Sequence, residues 1–229
     1  MMTGRQRRRA SAKENMKTRI LSLIAGMKRP HMERRIPALW ISVLLMGFCV
    51  AVFRKIQFGT DPCSTLNLGI ADWIGVPFGT TQLMINLVLF AIVIRFDAGR
   101  IGMGTIANMC FVGYFTDFFS FLLSFIPALD SLTMAGRIAL FVPMMALFMV
   151  VASIYMVVDM GVAPYDAIPQ IIAKKKGWAF RPVRICWDLL HTAGGFLLGS
   201  TVGVVTLVVA FGMGPMVTWM AEKVRPIFE

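Results

Sequence analysis

Six apolar segments, near residues 37–54, 80–95, 101–126, 138–158, 183–199 and 202–221, dominate this chain. Inside a bilayer no water satisfies an exposed peptide group. A crossing segment must therefore pair its own N–H and C=O groups, as a helix does. A helix crosses with about 20 residues, in a range of about 17–25. The second and fifth segments meet that length only narrowly and need support at their ends. Composition agrees: 57% of the 229 residues are hydrophobic and 15% are charged, against about 25% charge in a soluble domain. The fold class is an all-α polytopic membrane protein with about six transmembrane helices.

A net charge of +11 suits nucleic acid in principle, but 11 of the 23 Lys and Arg lie in the first 35 residues. A basic end followed by apolar spans is a membrane-topology pattern, and no nucleic-acid partner is expected. With the N-terminus inside, 20 of the 23 basic residues fall on inner segments, and only Arg54, Lys55 and Arg137 fall outside. Both termini are then cytoplasmic. The stretch RQRRRASAKENMKTR is longer than the basic region of a secretory signal, and no A-x-A site follows the first apolar run. Met16, Ile20, Leu21, Leu23, Ile24 and Met27 recur at helical spacing among Lys17, Arg19 and Lys28. That pattern suits a helix lying on anionic inner-leaflet lipids, with residues 1–35 as a basic extension. A solvated tail over residues 1–15 is the competing reading.

The chain writes one unusual phrase twice: FGTDPCSTL from Phe58 and MGVAPYDAI from Met160. An offset of 102 residues aligns Gly59 with Gly161, Pro62 with Pro164, Ser64 with Asp166, Gly75 with Gly177 and Asn86 with Asp188. With one residue dropped near 95–101, Gly102 aligns with Gly203 and Thr105 with Thr206. Each copy holds three spans, an odd number, so the copies enter the membrane from opposite sides. This predicts two inverted three-helix repeats, 36–126 and 138–221, joined by an outer connector over 127–137 and ending in a cytoplasmic tail, 222–229. Each repeat also carries a short G-x-x-P helix. In the first, Asp61 is the N-cap, Pro62 the first helical residue and Gly75 the stop. In the second, Pro169 is expected to interrupt or restart the helix. Two roles stay open for these elements: re-entrant gates formed by Gly59, Asp61, Pro62, Gly161, Pro164 and Asp166, or amphipathic connectors lying at the interfaces.

The segments GTDPCSTL, GVPFG, GVAPYDAI and GSTVGVVT together resemble the bacterial YczE/YyaS/YitT membrane proteins, closest to the YczE-like branch. The resemblance covers about residues 37–220. It implies a polytopic protein of a bacterial inner membrane. The activity of such proteins is poorly defined, transport being the common suggestion, so no catalytic or ligand residues carry over. The arginine-rich extension lies outside the resemblance.

Polar residues inside apolar spans point to function. Arg184, Asp188 and His191 share one face of the fifth span, and Gln82 and Asn86 occupy the repeat-related positions of the second. Pseudo-symmetry brings two such faces together near the axis, where inverted-repeat transporters bind substrate. Asp188 and His191 are candidates for proton exchange. The structural alternative is an Arg184–Asp188 pair that fixes packing, with His191 bonded to a backbone carbonyl. Asp117 is a candidate for lining a cavity, with pairing to Arg54, Lys55 or Arg137 as the competing account. Asn108 reads as a hydrogen-bonding group between helices. Gly195, Gly199 and Gly203, four residues apart, are expected to pack the fifth span on the sixth.

Cys49, Cys63, Cys110 and Cys186 show neither disulfide nor metal spacing, and the 18 methionines sit among apolar neighbours rather than as copper ligands. There is no phosphate loop, no H-E-x-x-H and no nucleophilic triad. The expected activity is not enzymatic and uses no metal or cofactor. It is small secondary transport or export of a small solute, proton-coupled through Asp188 and His191. The alternatives are a membrane substrate-binding subunit with a separate energising partner, and a non-transporting scaffold or regulator.

Overall fold

The computed structural model describes residues 31–224 and Pro226, and among these residues the chain is helical with no strand. The helices are α1 (Met32–Ile56), α2 (Pro62–Ile74), α3 (Phe78–Asp97), α4 (Met103–Ser124), α5 (Met134–Val157), α6 (Pro164–Lys176), α7 (Phe180–Leu197) and α8 (Val204–Val224). Short 3-10 turns, Ala98–Arg100 and Pro127–Leu129, follow α3 and α4. Residues 1–30, with the surface helix expected over Met16–Met27, lie outside the described residues.

Every expected span is a helix, of 25, 20, 22, 24, 18 and 21 residues in chain order. Among the described residues four of them, α1, α3, α4 and α5, are long and apolar enough to cross a membrane by length and composition. The expectation of six rested on hydropathy runs alone. In α7, Arg181, Arg184 and Asp188 fall within 18 residues, which dilutes the apolar signal. The outward surface is that of a membrane protein: Val88 is 64% exposed, Phe121 61% and Leu197 82%, a large apolar area that water would disfavour.

The short helices form for local reasons. The Asp61 carboxylate accepts the Ser64 N–H at 3.0 Å, Pro62 occupies the first turn, and Gly75 ends α2 at φ 69°. Pro164 likewise opens α6 and Gly177 closes it at φ 68°. Pro169 does not interrupt α6, contrary to expectation. The proline removes one rung, the bond to the Tyr165 carbonyl, while Ile168 and Ile171 on the same helix stay buried against Leu89 and Val93 of α3.

Helices α1 and α5 form an antiparallel centre. The Arg35 Nη1 donates to the Val158 carbonyl at 2.6 Å at one end, and Lys55 pairs with Asp130 at 2.5 Å at the other. Helix α4 lies along α1, where Trp40 meets Phe111 and Phe48 meets Phe119 edge to face. Helix α8 lies along α5, with Val205 and Val209 in the same core as Met145, Phe148 and Met149. The short helices cross over: α2 runs beside the C-terminal half of α7, and α6 beside that of α3.

Two backbone seams tie the halves together. The Phe58 carbonyl accepts the Val205 N–H at 3.1 Å, and the Met160 carbonyl accepts the Gly104 N–H at 2.7 Å. At these seams Thr206 Oγ1 accepts from the Gly203 N–H at 3.3 Å, and Thr105 Oγ1 from the Gly102 N–H at 3.1 Å. Gly59 and Gly161 have φ of +80° and +108°, and a Cβ on either would stand 2.5 Å from a backbone nitrogen, that of Gly203 or Gly102. Only glycine satisfies both constraints.

The glycine expectation needs correction here. Gly195 presses on α2, where a Cβ would meet the Thr65 carbonyl at 2.6 Å. Gly199 sits in an open turn at φ +87°, and Gly203 seats the 58–59 loop. None of the three packs α7 on α8: α2 takes the surface at Gly195, Gly199 has nothing within 4 Å, and the 58–59 loop takes the surface at Gly203.

The seams predict a graded mutational response. Gly102→Ala and Gly203→Ala set a Cβ against backbone that cannot retreat, so both should abolish folded protein or lower its melting temperature sharply. Gly75→Ala and Gly177→Ala meet nothing within 4 Å and should cost only the left-handed strain, about 1–2 kcal/mol. Thermal unfolding of detergent-purified variants checks the order; equal losses in all four would refute the seam.

Candidate functional site

The first turns of α2 and α6 open onto one cavity of about 70 Å³. Asp61, Cys63 and Ser64 come to it from the start of α2, and Tyr165 and Asp166 from the start of α6. Gln82 and Asn86 of α3, Asn108 of α4 and Arg184 of α7 complete its polar wall. Met46, Val50, Phe148 and Val209 supply an apolar side. Such a cavity holds a few waters and is far below the roughly 300–1,000 Å³ of a pocket for a drug-sized ligand.

One charged network braces the wall. Arg184 Nε donates to Asp188 at 2.9 Å and its Nη1 to Asp166 at 2.5 Å. The Tyr165 hydroxyl donates to the other Asp188 oxygen at 2.5 Å, and the guanidinium lies 5.2 Å from the centre of the Tyr165 ring. Arg184 therefore turns inward, between the two carboxylates and the Tyr165 ring. Asp188 is only 2% exposed and sits behind Arg184 and Tyr165, away from the cavity lining. His191 Nδ1 is 2.8 Å from the Trp187 carbonyl, and its ring packs on those of Tyr165 and Trp187.

The sequence-predicted residues divide accordingly. Gln82, Asn86 and Arg184 meet at the cavity, joined by Asp61, Pro62 and Asp166 of the two short helices. Asp188 and His191 stand behind it. Asp117 is elsewhere: its Oδ2 accepts the Gly79 N–H at 2.7 Å at the start of α3, and Arg54 lies 3.6 Å from its other oxygen. Gly59 and Gly161 belong to the seams, and Pro164 is buried at the head of α6. Sequence reasoning gave no role to Tyr165, Cys63 or Ser64, and read Asn108 only as a bond between helices. The available signal was position: all but Asn108 fall in the first turn after a G-x-x-P proline.

One wall group has an unmet demand. Gln82 is 5% exposed, and its Oε1 has no hydrogen-bond partner among the described residues. A buried amide oxygen left without a donor is costly.

The profile of the family described as "Family of unknown function (DUF6198)" matches residues 33–222, and the chain belongs to that family. The chain is also 25% identical over 172 residues to the "Uncharacterized membrane protein YczE" of Bacillus subtilis (strain 168), covering 75% of this chain and 77% of that protein. The YczE-like resemblance read from the motifs is thus shown at the level of whole sequences. No solved structure matches the chain.

The network makes an ordered prediction. Arg184→Leu leaves the buried Asp188 and the half-buried Asp166 without their charged partner and should cost about 3–5 kcal/mol. Tyr165→Phe removes one hydrogen bond to a charge and should cost about 1.5–3 kcal/mol. Chemical or thermal unfolding of the two variants measures the difference, and a Tyr165→Phe loss larger than that of Arg184→Leu would reverse the hierarchy.

Proposed function

We propose that this YczE-like protein is a small secondary transporter or exporter of the bacterial cell membrane, moving a small polar solute through the cavity between its halves. The observation that carries this reading is the polar cavity at the heads of α2 and α6, walled by residues from both halves of the chain. Polar groups this deep in an apolar bundle are costly and mark solute or ion paths.

Two inverted three-helix repeats, six spans in all, are part of the proposal. The reciprocal contacts support it. The bond of Phe58 to Val205 has its counterpart in that of Met160 to Gly104, and the crossing of α2 to α7 has its counterpart in that of α6 to α3. On this reading α2 and α6 are half-helices that begin at mid-depth and end at opposite faces, with Gly75 outside and Gly177 inside. The 20 inner basic residues against three outer ones support cytoplasmic termini.

Transport then follows from the geometry. A solute larger than a few waters requires the halves to part. The seams at Gly59–Gly203 and Gly161–Gly102 are where one half pivots on the other, opening the cavity first to one face and then to the other. Asp188 changes its partners when α6 and α7 separate, because Tyr165 and Asp166 move with α6 while Arg184 stays on α7. That is the step at which a proton exchanges. His191 packs edge to face on the Tyr165 ring and contributes through packing.

Cys63 lines the cavity and is a native probe. With Cys49, Cys110 and Cys186 changed to Ala, a membrane-impermeant thiol reagent applied to oriented vesicles should label Cys63 from either face. Protection from both faces under all conditions would remove the transport reading and favour the scaffold.

A further inference from the structure

The hairpin between α6 and α7 leaves a groove on the outside of the bundle. Gly177, at φ +68°, ends α6, and α7 begins at Phe180, so the two helices are joined by a tight turn. Pro182, Cys186 and Leu190 recur every four residues and form one stripe of α7. With Ile172 of α6 and Trp178 of the turn they line a groove of about 540 Å³ in which no lining side chain is charged. A second hollow, of about 570 Å³, shares Trp178 and is lined by Gln170 and Lys174 of α6 and by Phe180. An apolar hollow and a polar, cationic one therefore meet at Trp178.

The rim at that meeting point is strongly basic. The run from Gln170 to Val183 carries Lys174, Lys175, Lys176 and Arg181 and no acid, and all four cations are exposed. Lys174 has Asp97 at 3.7 Å, but that carboxylate is already bonded to Arg100 at 3.0 Å. Lys175 lies over the Phe96 ring. Among the described residues Lys176 and Arg181 form no ion pair. The occupant that complements this surface has an apolar body and an anionic end. The chain's own residues 1–30 do not qualify, with nine Lys and Arg against the single acid Glu14. A second copy docked on the same face would bring the same cations against these.

We infer that the α6–α7 groove seats one anionic phospholipid, with an acyl chain in the apolar hollow and the phosphate at the rim of Lys174, Lys176 and Arg181. Trp178, 61% exposed beside the lysines, has the amphipathic ring that suits the boundary between acyl chains and headgroups. On the topology proposed above the rim is cytoplasmic, on the leaflet that carries a negative surface potential, and basic pockets between helices on that side recognise anionic headgroups. The lipid bridges α6 and α7 from outside the bundle, as the Arg184–Asp166 pair bridges them from within. The site stands independently of the transport reading.

Trp178 and Trp187, which both line the groove, are built-in reporters. The full chain with Trp40, Trp73 and Trp219 changed to Phe is placed in phosphatidylcholine vesicles at fixed ionic strength. A small fraction of the lipid is then replaced by phosphatidylglycerol or by phosphatidylcholine, each with brominated acyl chains that quench tryptophan fluorescence on contact. Brominated phosphatidylglycerol should quench more strongly and saturably, with an apparent preference of about fivefold or more. Changing Lys174, Lys176 and Arg181 together to Gln should remove that preference; all three side chains are exposed, so the fold should survive. Cys186→Phe keeps every charge and fills the groove, and it too should remove the preference. If Cys186→Phe does not fold, Cys186→Leu takes its place. Equal quenching by the two lipids, or a preference that persists in the triple Gln variant, overturns the site. A preference that persists with the groove filled reports surface charge alone and overturns it as well.

Discussion

The two backbone seams are the interaction on which the rest of this structure depends. At each, a carbonyl just before a left-handed glycine accepts an N–H from the first turn of a long helix in the other half. Each seam satisfies peptide groups that lipid would leave unpaired. Each also fixes where the following short helix begins. The loop 57–61 is held at the head of α8, so α2 starts deep in the bundle and runs along α7. The loop after Val158 is held at the head of α4, so α6 starts deep and runs along α3. Without the glycines the backbones would stand further apart, and the heads of α2 and α6 would no longer converge.

Convergence has electrostatic consequences. A helix head exposes N–H groups. Two such heads at one point in a low-dielectric interior are tolerated only with compensating acceptors. Asp61 supplies them by capping α2, and Asp166 stands in the first turn of α6, where it meets Arg184. Arg184 in turn is kept inside by two carboxylates and the face of Tyr165. Seams, helix heads and the charged network thus form one dependent series, and the cavity is the space it leaves.

Several residues show why a polar group in a span is a weak pointer by itself. Asp117 and Asp188 look equally significant in the sequence. The first holds the start of α3 and pairs with Arg54, while the second is sealed behind the cavity by Tyr165. Gly195, Gly199 and Gly203 share one spacing and have three different roles, two in contacts with separate elements and one in an open turn. What separates them is which helix arrives at their surface, and spacing within one helix carries no record of its neighbour.

Much was nonetheless legible without coordinates. Apolar length and the absence of water in lipid dictate helices, and the six expected segments are the six long helices. Asp61, Pro62 and Gly75 mark the ends of α2 because caps act within four residues. The doubled phrase contains the glycines of the seams, Gly59 and Gly161, and the polar residues Gln82, Asn86 and Arg184 of the spans border one cavity. Each of these follows from covalent geometry, hydrogen bonding or solvation acting over a few residues or one helix face. The tertiary structure alone decided that the short helices exchange partners between halves, that α6 runs unbroken through Pro169, that Arg184 turns inward, and that Tyr165 and Cys63 border the cavity. Those outcomes depend on contacts between residues far apart in the chain, where many pairings satisfy the same local rules and only simultaneous packing selects one.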